Sequence, residues 1–184
     1  MAKLAVFFPG IGYHCDKPLL YYGRDVACEA GYDKYINIKY EYPKFDIKDV
    51  KSMREAALNL LAQAHEQLKD IKWDEYEEVV FIAKSIGTTL AANYADELKL
   101  PNMKLVLFTP LVYTYQWEIK NAVAFIGSRD QFSTLEDIQK LSDEHKVPLY
   151  VYDGCNHSLE CDDTFKNLDI MKEVMKIISD FIKY

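Results

Sequence analysis

The sequence predicts an α/β fold with a mostly parallel sheet of about six strands and helices on both faces. Short apolar runs alternate with segments of helical periodicity, and several of these runs are apolar at every position. A strand that is apolar throughout is covered on both faces, as in a parallel sheet between two helical layers. The 184 residues suffice for one sizeable core, and no tract rich in Pro, Gly or Ser divides the chain. We therefore expect residues 1–184 to form a single domain.

The strands and helices follow one another along the chain. Apolar runs predict strands at residues 4–8, 35–40, 79–83, 105–108, 122–126 and 149–152. Between the second and third runs, apolar residues that include Met53, Leu60 and Leu68 recur at three- and four-residue spacing, with charged residues between them. The same spacing continues after Ser85 and again near the C-terminus, from Met171 onward. These three stripes predict helices whose apolar faces pack on the sheet.

The charge and the apolar pattern argue against several classes of protein. A formal net charge of −7, with no visible basic cluster, disfavours a nucleic-acid partner. No apolar run is long enough to span a bilayer, so we expect no membrane span. The N-terminal apolar segment is too short for a secretion signal and is better interpreted as the first strand. We therefore expect a cytoplasmic protein.

The four cysteines are Cys15, Cys28, Cys155 and Cys161. Without a secretion signal, free thiols are expected rather than disulfides. Cys155 and Cys161 flank His157, which raises the alternative of a metal site. Their spacing matches no zinc pattern, and a second pair of ligands is missing. We expect neither a metal ion nor an organic cofactor.

The third apolar run ends abruptly in Ser85, with Ala83 two residues before it and Gly87 two residues after it. This A-x-S-x-G pattern is close to the G-x-S-x-G pattern of a nucleophile elbow. In such an elbow a sharp strand-to-helix turn exposes the serine Oγ, and small neighbours allow the backbone to pack closely. The alternative for Ser85 is an ordinary helix N-cap.

Two later strands are followed by the groups that a serine nucleophile requires. Asp130 comes directly after the fifth run, and His157 lies in the loop after the sixth. Asp153 competes with Asp130 for the role of the acid, but it is only four residues from His157 in the same loop. That position favours a role in shaping the turn through its side chain. We therefore favour Asp130.

The chain order nucleophile, acid, histidine, with each group after a separate strand, resembles that of the α/β-hydrolase superfamily. The resemblance extends from Leu4 to the last helix and implies the α/β-hydrolase fold. It implies that Ser85 is the nucleophile, that His157 is the general base and acid, and that Asp130 orients the imidazole.

The resemblance also implies an oxyanion hole built from two backbone N–H groups. One is the N–H of Ile86, directly after the nucleophile. The other comes from the loop after an early strand, where Pro9-Gly10 replaces the His-Gly pair of many relatives. This replacement points to the N–H of Ile11.

A chain of this length has no room for a separate cap domain, so loops must form the substrate pocket. The aromatic-rich connection over residues 109–120 offers Tyr113, Tyr115 and Trp117 as candidate walls, although such aromatics can also pin a loop to the core. Tyr13 and His14, in the first loop, are further candidates. Lys84, inside the elbow, is expected to point away from Ser85.

These observations lead to the hypothesis of a cap-less serine hydrolase whose partner is a small-molecule ester, thioester or related acyl compound. A serine peptidase or amidase with the same triad is an alternative. A second alternative is a non-catalytic α/β-hydrolase scaffold that binds a protein or a small ligand. A third is a flavodoxin-like or Rossmann-like binding domain in which Ser85 only caps a helix.

Overall fold

The computed structural model describes residues 2–46 and 49–183. Within this part of the chain, six parallel strands form one sheet in the order β2-β1-β3-β4-β5-β6. The strands are β1 (Ala2–Phe8), β2 (Lys34–Asn37), β3 (Tyr76–Lys84), β4 (Met103–Phe108), β5 (Ala122–Gly127) and β6 (Leu149–Tyr152). The helices are α1 (Pro18–Glu29), α2 (Val50–Leu68), α3 (Ile86–Leu98), α4 (Leu135–His145) and α5 (Thr164–Lys183). The predicted α/β fold class is confirmed.

Both faces of the sheet are covered by helices, as predicted. Helices α2, α3 and α4 pack on one face, and α1 and α5 pack on the other. Along β1, Leu4, Val6 and Phe8 enter the first core, whereas Ala5 and Phe7 enter the second. This two-sided burial explains why the central strands are apolar at every position.

The second strand is shorter than predicted, because β2 ends at Asn37. Ile38 is almost fully buried, which extends the apolar pattern beyond the sheet. The chain then runs beside α2, and its backbone N–H and C=O groups form hydrogen bonds with glutamine side chains of α2 instead of with another strand. Lys39 donates its N–H to Gln67 Oε1 at 2.9 Å, and Gln67 Nε2 donates back to the Lys39 carbonyl at 2.8 Å. Gln63 makes the same reciprocal pair with Glu41.

The three predicted helices do not include α1 and α4, although the sequences of both contain helix start signals. Pro18 occupies the first turn of α1, where its missing N–H costs nothing. Thr134 caps α4 by accepting the N–H of Asp137 at 3.1 Å.

The strand order places the loops after β1 and β3 together. The connection after β1 leads to β2 at one edge of the sheet, whereas the connection after β3 leads to β4 in the opposite direction, so the two connections diverge between β1 and β3. In parallel α/β sheets, the crevice at the carboxyl ends of two such strands is the usual ligand site. Here that crevice lies between Ser85 and the loop that begins at Pro9.

None of the helices in the described ranges combines the length and the apolar character needed to cross a bilayer.

Candidate active site

Ser85 forms the sharp turn between β3 and α3. Its backbone has φ 55° and ψ −124°, a conformation that costs a non-glycine residue about 1–3 kcal/mol. Three hydrogen bonds hold the turn. The Ser85 N–H donates to the Phe108 carbonyl at 3.0 Å, and the Ser85 carbonyl accepts from the Thr88 N–H at 2.9 Å and from Thr88 Oγ1 at 2.6 Å. The Ser85 side chain does not cap α3, so the N-cap interpretation does not describe this turn.

The side chains of Ser85, His157 and Asp130 form a continuous chain of contacts. Ser85 Oγ lies 2.8 Å from His157 Nε2, and His157 Nδ1 lies 2.7 Å from Asp130 Oδ2. The Asp130 side chain is fully buried, and 13% of the His157 side chain is exposed. Asp130 Oδ1 accepts the N–H groups of Phe132 at 2.8 Å and Ser133 at 3.3 Å. The turn after Asp130 therefore orients its carboxylate toward the imidazole.

Asp153, the competing acid, is bonded elsewhere. Its Oδ1 accepts from Ser128 Oγ at 2.9 Å, and the same Ser128 Oγ accepts the N–H of Gly154 at 2.8 Å. Asp153 thus ties the loop after β6 to the loop after β5, while Asp130 alone of the two contacts His157.

The loop that carries His157 is held by its own backbone and by that of the Asp130 loop. Asn156 Oδ1 accepts the Ser158 N–H at 2.7 Å, which closes a tight turn around His157. The Arg129 N–H donates to the Cys155 carbonyl at 2.9 Å. A Cβ atom at Gly127 would collide with that same carbonyl, so a glycine allows the two loops to approach this closely.

Gly87 allows the first turn of α3 to pack against the end of β1. A Cβ atom at this position would overlap the Phe8 carbonyl and would lie 2.7 Å from the Pro9 carbonyl oxygen. Both obstacles are backbone atoms, which cannot move away as a flexible side chain can. The glycine of the elbow motif is therefore required by packing.

Gly87→Ala is expected to lower the free energy of unfolding by about 1–3 kcal/mol or more, because overpacking against backbone forces the chain to shift. Gly23→Ala is the matched control. Gly23 lies inside α1, its Cβ would meet Ile82 Cγ2 at an ordinary 3.6 Å, and alanine favours the helix by about 1 kcal/mol. Denaturant unfolding monitored by circular dichroism measures both changes. Equal stabilities of the two variants would show that the contact at Gly87 is not crowded.

The lowered pKa of His157 favours the neutral form of its imidazole. Burial lowers the pKa of its imidazole below the ordinary value of 6.5; the hydrogen bond to Asp130 opposes this shift, and the positive charge of Lys84 adds to it. The ring of Phe132 packs 4.6 Å from the imidazole, centroid to centroid, and shields it on one side. A neutral imidazole can accept a proton from Ser85 Oγ.

Lys84, which was expected to point away from Ser85, is a buried residue at the end of β3 and is among the residues that line the pocket beside Ser85. Only 1% of the residue is exposed. Its Nζ lies over the ring of Tyr13, 5.1 Å from the centroid. Burial lowers the pKa of the ammonium from 10.5 to about 7, against the opposing effect of the Asp130 charge.

A pocket of about 290 Å³ opens beside Ser85 and His157. Of the five candidate pocket residues from the sequence, only Tyr13 lines it. Most of the lining residues that were not predicted lie within two positions of Ser85, Asp130 or His157 in the chain, and Gly12 lies between Ile11 and Tyr13. The lining consists of Ile11, Gly12, Tyr13, Lys84, Ser85, Gln131, Phe132, Asn156, His157 and Ser158.

The other four candidates lie away from this pocket. Tyr115 is buried, and its hydroxyl lies 2.7 Å from Ser142 Oγ of α4. Trp117 packs against the core on the same face, so these aromatics pin the connection after β4 to the helices. Tyr113 is half exposed and lines no part of the pocket. His14 is an exposed residue whose Nδ1 accepts the Asp16 N–H at 3.3 Å.

Within the described ranges, no three His, Cys, Asp or Glu side chains cluster as metal ligands would. All four cysteines are free, including Cys155 and Cys161 in the His157 loop.

The chain is similar in structure to several known proteins. An esterase from Pyrococcus furiosus matches with a TM-score of 0.70 and 15% identity over 98% of this chain and 82% of that one. Est1E from Butyrivibrio proteoclasticus matches with a TM-score of 0.67 and 11% identity over 100% and 89%. An α/β serine hydrolase homologue from Coxiella burnetii matches with a TM-score of 0.66 and 12% identity over 96% and 84%. No protein-family model and no curated protein sequence matches this chain.

Proposed function

We propose that this chain, which has the α/β-hydrolase fold, is a serine hydrolase that cleaves a small ester, thioester or related acyl compound. The observation that carries the proposal is the unbroken contact from Ser85 Oγ through the His157 imidazole to the Asp130 carboxylate, over 2.8 Å and 2.7 Å. These three groups converge from three separate strand ends. A pocket of about 290 Å³ opens beside Ser85 and His157, at the position that the acyl group of a substrate would occupy.

The geometry supports a two-step acyl transfer. Ser85 Oγ attacks the acyl carbon while its proton passes to His157 Nε2. Asp130 accepts the Nδ1–H of His157, which keeps Nε2 free to accept the proton and stabilises the imidazolium that forms. The imidazolium then protonates the departing alcohol or thiol and leaves an acyl group on Ser85. Water, deprotonated by the same imidazole, releases the acid and restores Ser85.

The negative oxygen of each tetrahedral intermediate requires N–H donors, and we assign the backbone N–H groups of Ile86 and Ile11. Ile86 is the first residue of α3, where an N–H has no partner within the helix and the helix dipole favours negative charge. Ile11 lies at the tip of a two-residue turn closed by reciprocal 3.0 Å bonds between Gly10 and Tyr13. A Cβ atom at Gly10 would lie 3.0 Å from Ser85 Cβ, so this turn rests directly against the nucleophile.

Covalent labelling with a broad fluorophosphonate tests the proposal, because only an activated serine reacts quickly. The folded chain is expected to acquire one adduct, which tandem mass spectrometry should locate on Ser85. The heat-denatured chain is the control and should remain unlabelled. A folded chain that does not react would favour a binding protein with a hydrolase fold.

The pH dependence of kcat/KM tests the role of His157. Only the neutral imidazole accepts the serine proton, so kcat/KM is expected to fall tenfold per pH unit below the pKa of His157. Because burial and the Lys84 charge lower this pKa, the transition should lie below pH 6.5. Initial rates with 4-nitrophenyl acetate between pH 4.5 and pH 8 measure it.

His14→Ala is the control for this profile, because His14 is exposed and lies outside the pocket. It should leave the transition in place, whereas His157→Ala should remove the transition together with the activity. A flat profile in the wild type would exclude His157 as the base.

A further inference from the structure

A tyrosine hydroxyl from outside the triad is bonded to the turn that lies against Ser85. The Tyr42 hydroxyl donates to the Gly10 carbonyl at 2.8 Å. The same carbonyl accepts the Tyr13 N–H at 3.0 Å. A Cβ atom at Gly10 would lie 3.0 Å from Ser85 Cβ, so the residue whose carbonyl Tyr42 holds lies directly against the proposed nucleophile. None of the proposed catalytic steps uses this hydroxyl.

The bond to Gly10 fixes the direction of the next N–H group. The C=O of Gly10 and the N–H of Ile11 belong to one peptide group, and the described residues contain no cis peptide bond. In a trans peptide group the C=O and the N–H point in opposite directions. Because the Gly10 carbonyl points toward the Tyr42 hydroxyl, the N–H of Ile11 points away from it. This N–H donates to no other described residue, and Ile11 lines the pocket.

The backbone of Tyr42 is anchored to helix α2. The preceding residue, Glu41, exchanges two hydrogen bonds with Gln63 of α2, both at 2.8 Å. The Tyr42 ring also packs against the Tyr40 ring, with the centroids 6.0 Å apart. A donor whose own position is fixed restricts the group that it binds, whereas a flexible donor would follow that group. The Tyr42 hydroxyl can therefore hold the Gly10 carbonyl in one orientation.

We propose that Tyr42 is a positioning residue for the oxyanion hole. Its hydroxyl holds the Gly10 carbonyl, which keeps the N–H of Ile11 directed at the oxygen of the tetrahedral intermediate. This inference rests on the proposed function, in which that N–H is the second donor. A donor stabilises the transition state most when it is oriented before the charge develops, because no reorganisation is then needed. In this role Tyr42 acts through the peptide group and not on the substrate.

Tyr42→Phe tests the inference, because it keeps the ring and removes only the hydroxyl. With 4-nitrophenyl acetate, kcat is expected to fall about tenfold, the size of one lost hydrogen bond and less than the loss of a whole donor. KM should stay within about twofold, because acylation and deacylation both pass through the oxyanion and slow together. The pH transition of His157 should not move, since its contacts with Ser85 and Asp130 remain.

Tyr40→Phe is the matched control. Tyr40 lies two residues before Tyr42, and its hydroxyl oxygen is buried without a hydrogen-bond partner in the part of the chain that the structure describes. Its kcat should stay within about twofold of the wild type. Rates are expressed per site that fluorophosphonate labels at saturation, so that a loss of folded protein does not count as a loss of kcat. An equal loss in the two variants would overturn the inference.

A second variant tests the route from Tyr42 to the oxyanion. Ile11 is the second residue of the turn from Gly10 to Tyr13, and Gly12, with φ 71°, is the third, the pattern of a type II turn. Proline is common at that second position, so Ile11→Pro removes the N–H while the turn keeps its shape. It should lower kcat by about a hundredfold or more. In the Ile11→Pro background, Tyr42→Phe should then cause no further loss.

Each outcome decides the inference. A kcat of Tyr42→Phe within about twofold of the wild type, or losses that multiply in the double variant, would overturn it while the proposed function stands. If Ile11→Pro does not fold, the comparison of Tyr42→Phe with Tyr40→Phe decides alone.

The wild type separates this inference from the proposed function. A wild type that shows neither labelling at Ser85 nor ester hydrolysis would overturn the proposed function, and the inference with it. If the chain is labelled but hydrolyses no ester, the labelling rates of the same variants replace kcat. Attack of Ser85 on the fluorophosphonate also places negative charge on an oxygen that the hole binds, so Tyr42→Phe should be labelled about tenfold more slowly.

Discussion

Ser85→Ala is expected to abolish ester hydrolysis, with a fall in kcat of about a millionfold, the size found when the nucleophile of a serine triad is removed. The variant has no Oγ to attack the acyl carbon, while the backbone bonds from the turn to Phe108 and Thr88 remain. The fold should therefore be retained. Initial-rate kinetics with 4-nitrophenyl acetate and mass spectrometry after fluorophosphonate treatment measure both parts of the result.

Ser158→Ala is the matched control, since Ser158 also lines the pocket and the substitution removes the same hydroxyl group. This variant should keep its activity within about tenfold and should still be labelled on Ser85. Continued labelling of Ser85→Ala at the wild-type rate would place the reactive serine elsewhere and would remove the proposed function.

Asp130→Asn is expected to lower kcat by roughly ten-thousandfold, the loss seen when a triad aspartate becomes an amide. The amide oxygen can still accept the N–H groups of Phe132 and Ser133, so the turn should keep its shape. The amide NH₂ would then face His157 Nδ1, which forces that nitrogen to be the acceptor and places the proton on Nε2. An Nε2–H group cannot accept the proton of Ser85.

Asp153→Asn makes the same chemical change in the competing acid. Asp153 accepts from Ser128 Oγ and does not contact the imidazole, so the expected effect on kcat is small. Both variants should be compared at a pH above the transition of His157, so that protonation of the base does not contribute. A larger loss in Asp153→Asn than in Asp130→Asn would reverse the assignment of the acid.

The sequence by itself determined the fold class and most strand positions. Five of the six predicted strands lie within the observed ones or coincide with them, because a strand covered on both faces is apolar at every position, and that pattern is local. The second strand ends at Asn37, three residues before the predicted end, and Gln63 and Gln67 of α2 form hydrogen bonds with the backbone that follows it. A side-chain partner of this kind comes from a distant part of the chain and leaves no local signal.

The order of the candidate catalytic residues was also readable from the sequence. In a parallel sheet all strands end at the same edge, so Ser85, Asp130 and His157, each after a strand, had to approach one another. The preference for Asp130 over Asp153 rested on the strand that each residue follows and on the short spacing between Asp153 and His157. The tertiary structure adds the contacts that distinguish the two carboxylates, one bonded to the imidazole and the other to Ser128.

Only the tertiary structure decided what surrounds Ser85. The aromatic residues Tyr113, Tyr115 and Trp117 are candidate pocket walls by composition, yet Tyr115 and Trp117 pack against the core beneath the helices. The pocket is lined instead by the loop after β1 and by the loops that contain Phe132 and His157. The contact between Lys84 and Tyr13 could not be predicted from the sequence either. Strand alternation assigns Lys84 to the face of Val80 and Ile82, but the Tyr13 ring that lies beside its Nζ comes from the loop after β1. Such contacts join residues far apart in the chain, so local sequence patterns do not encode them.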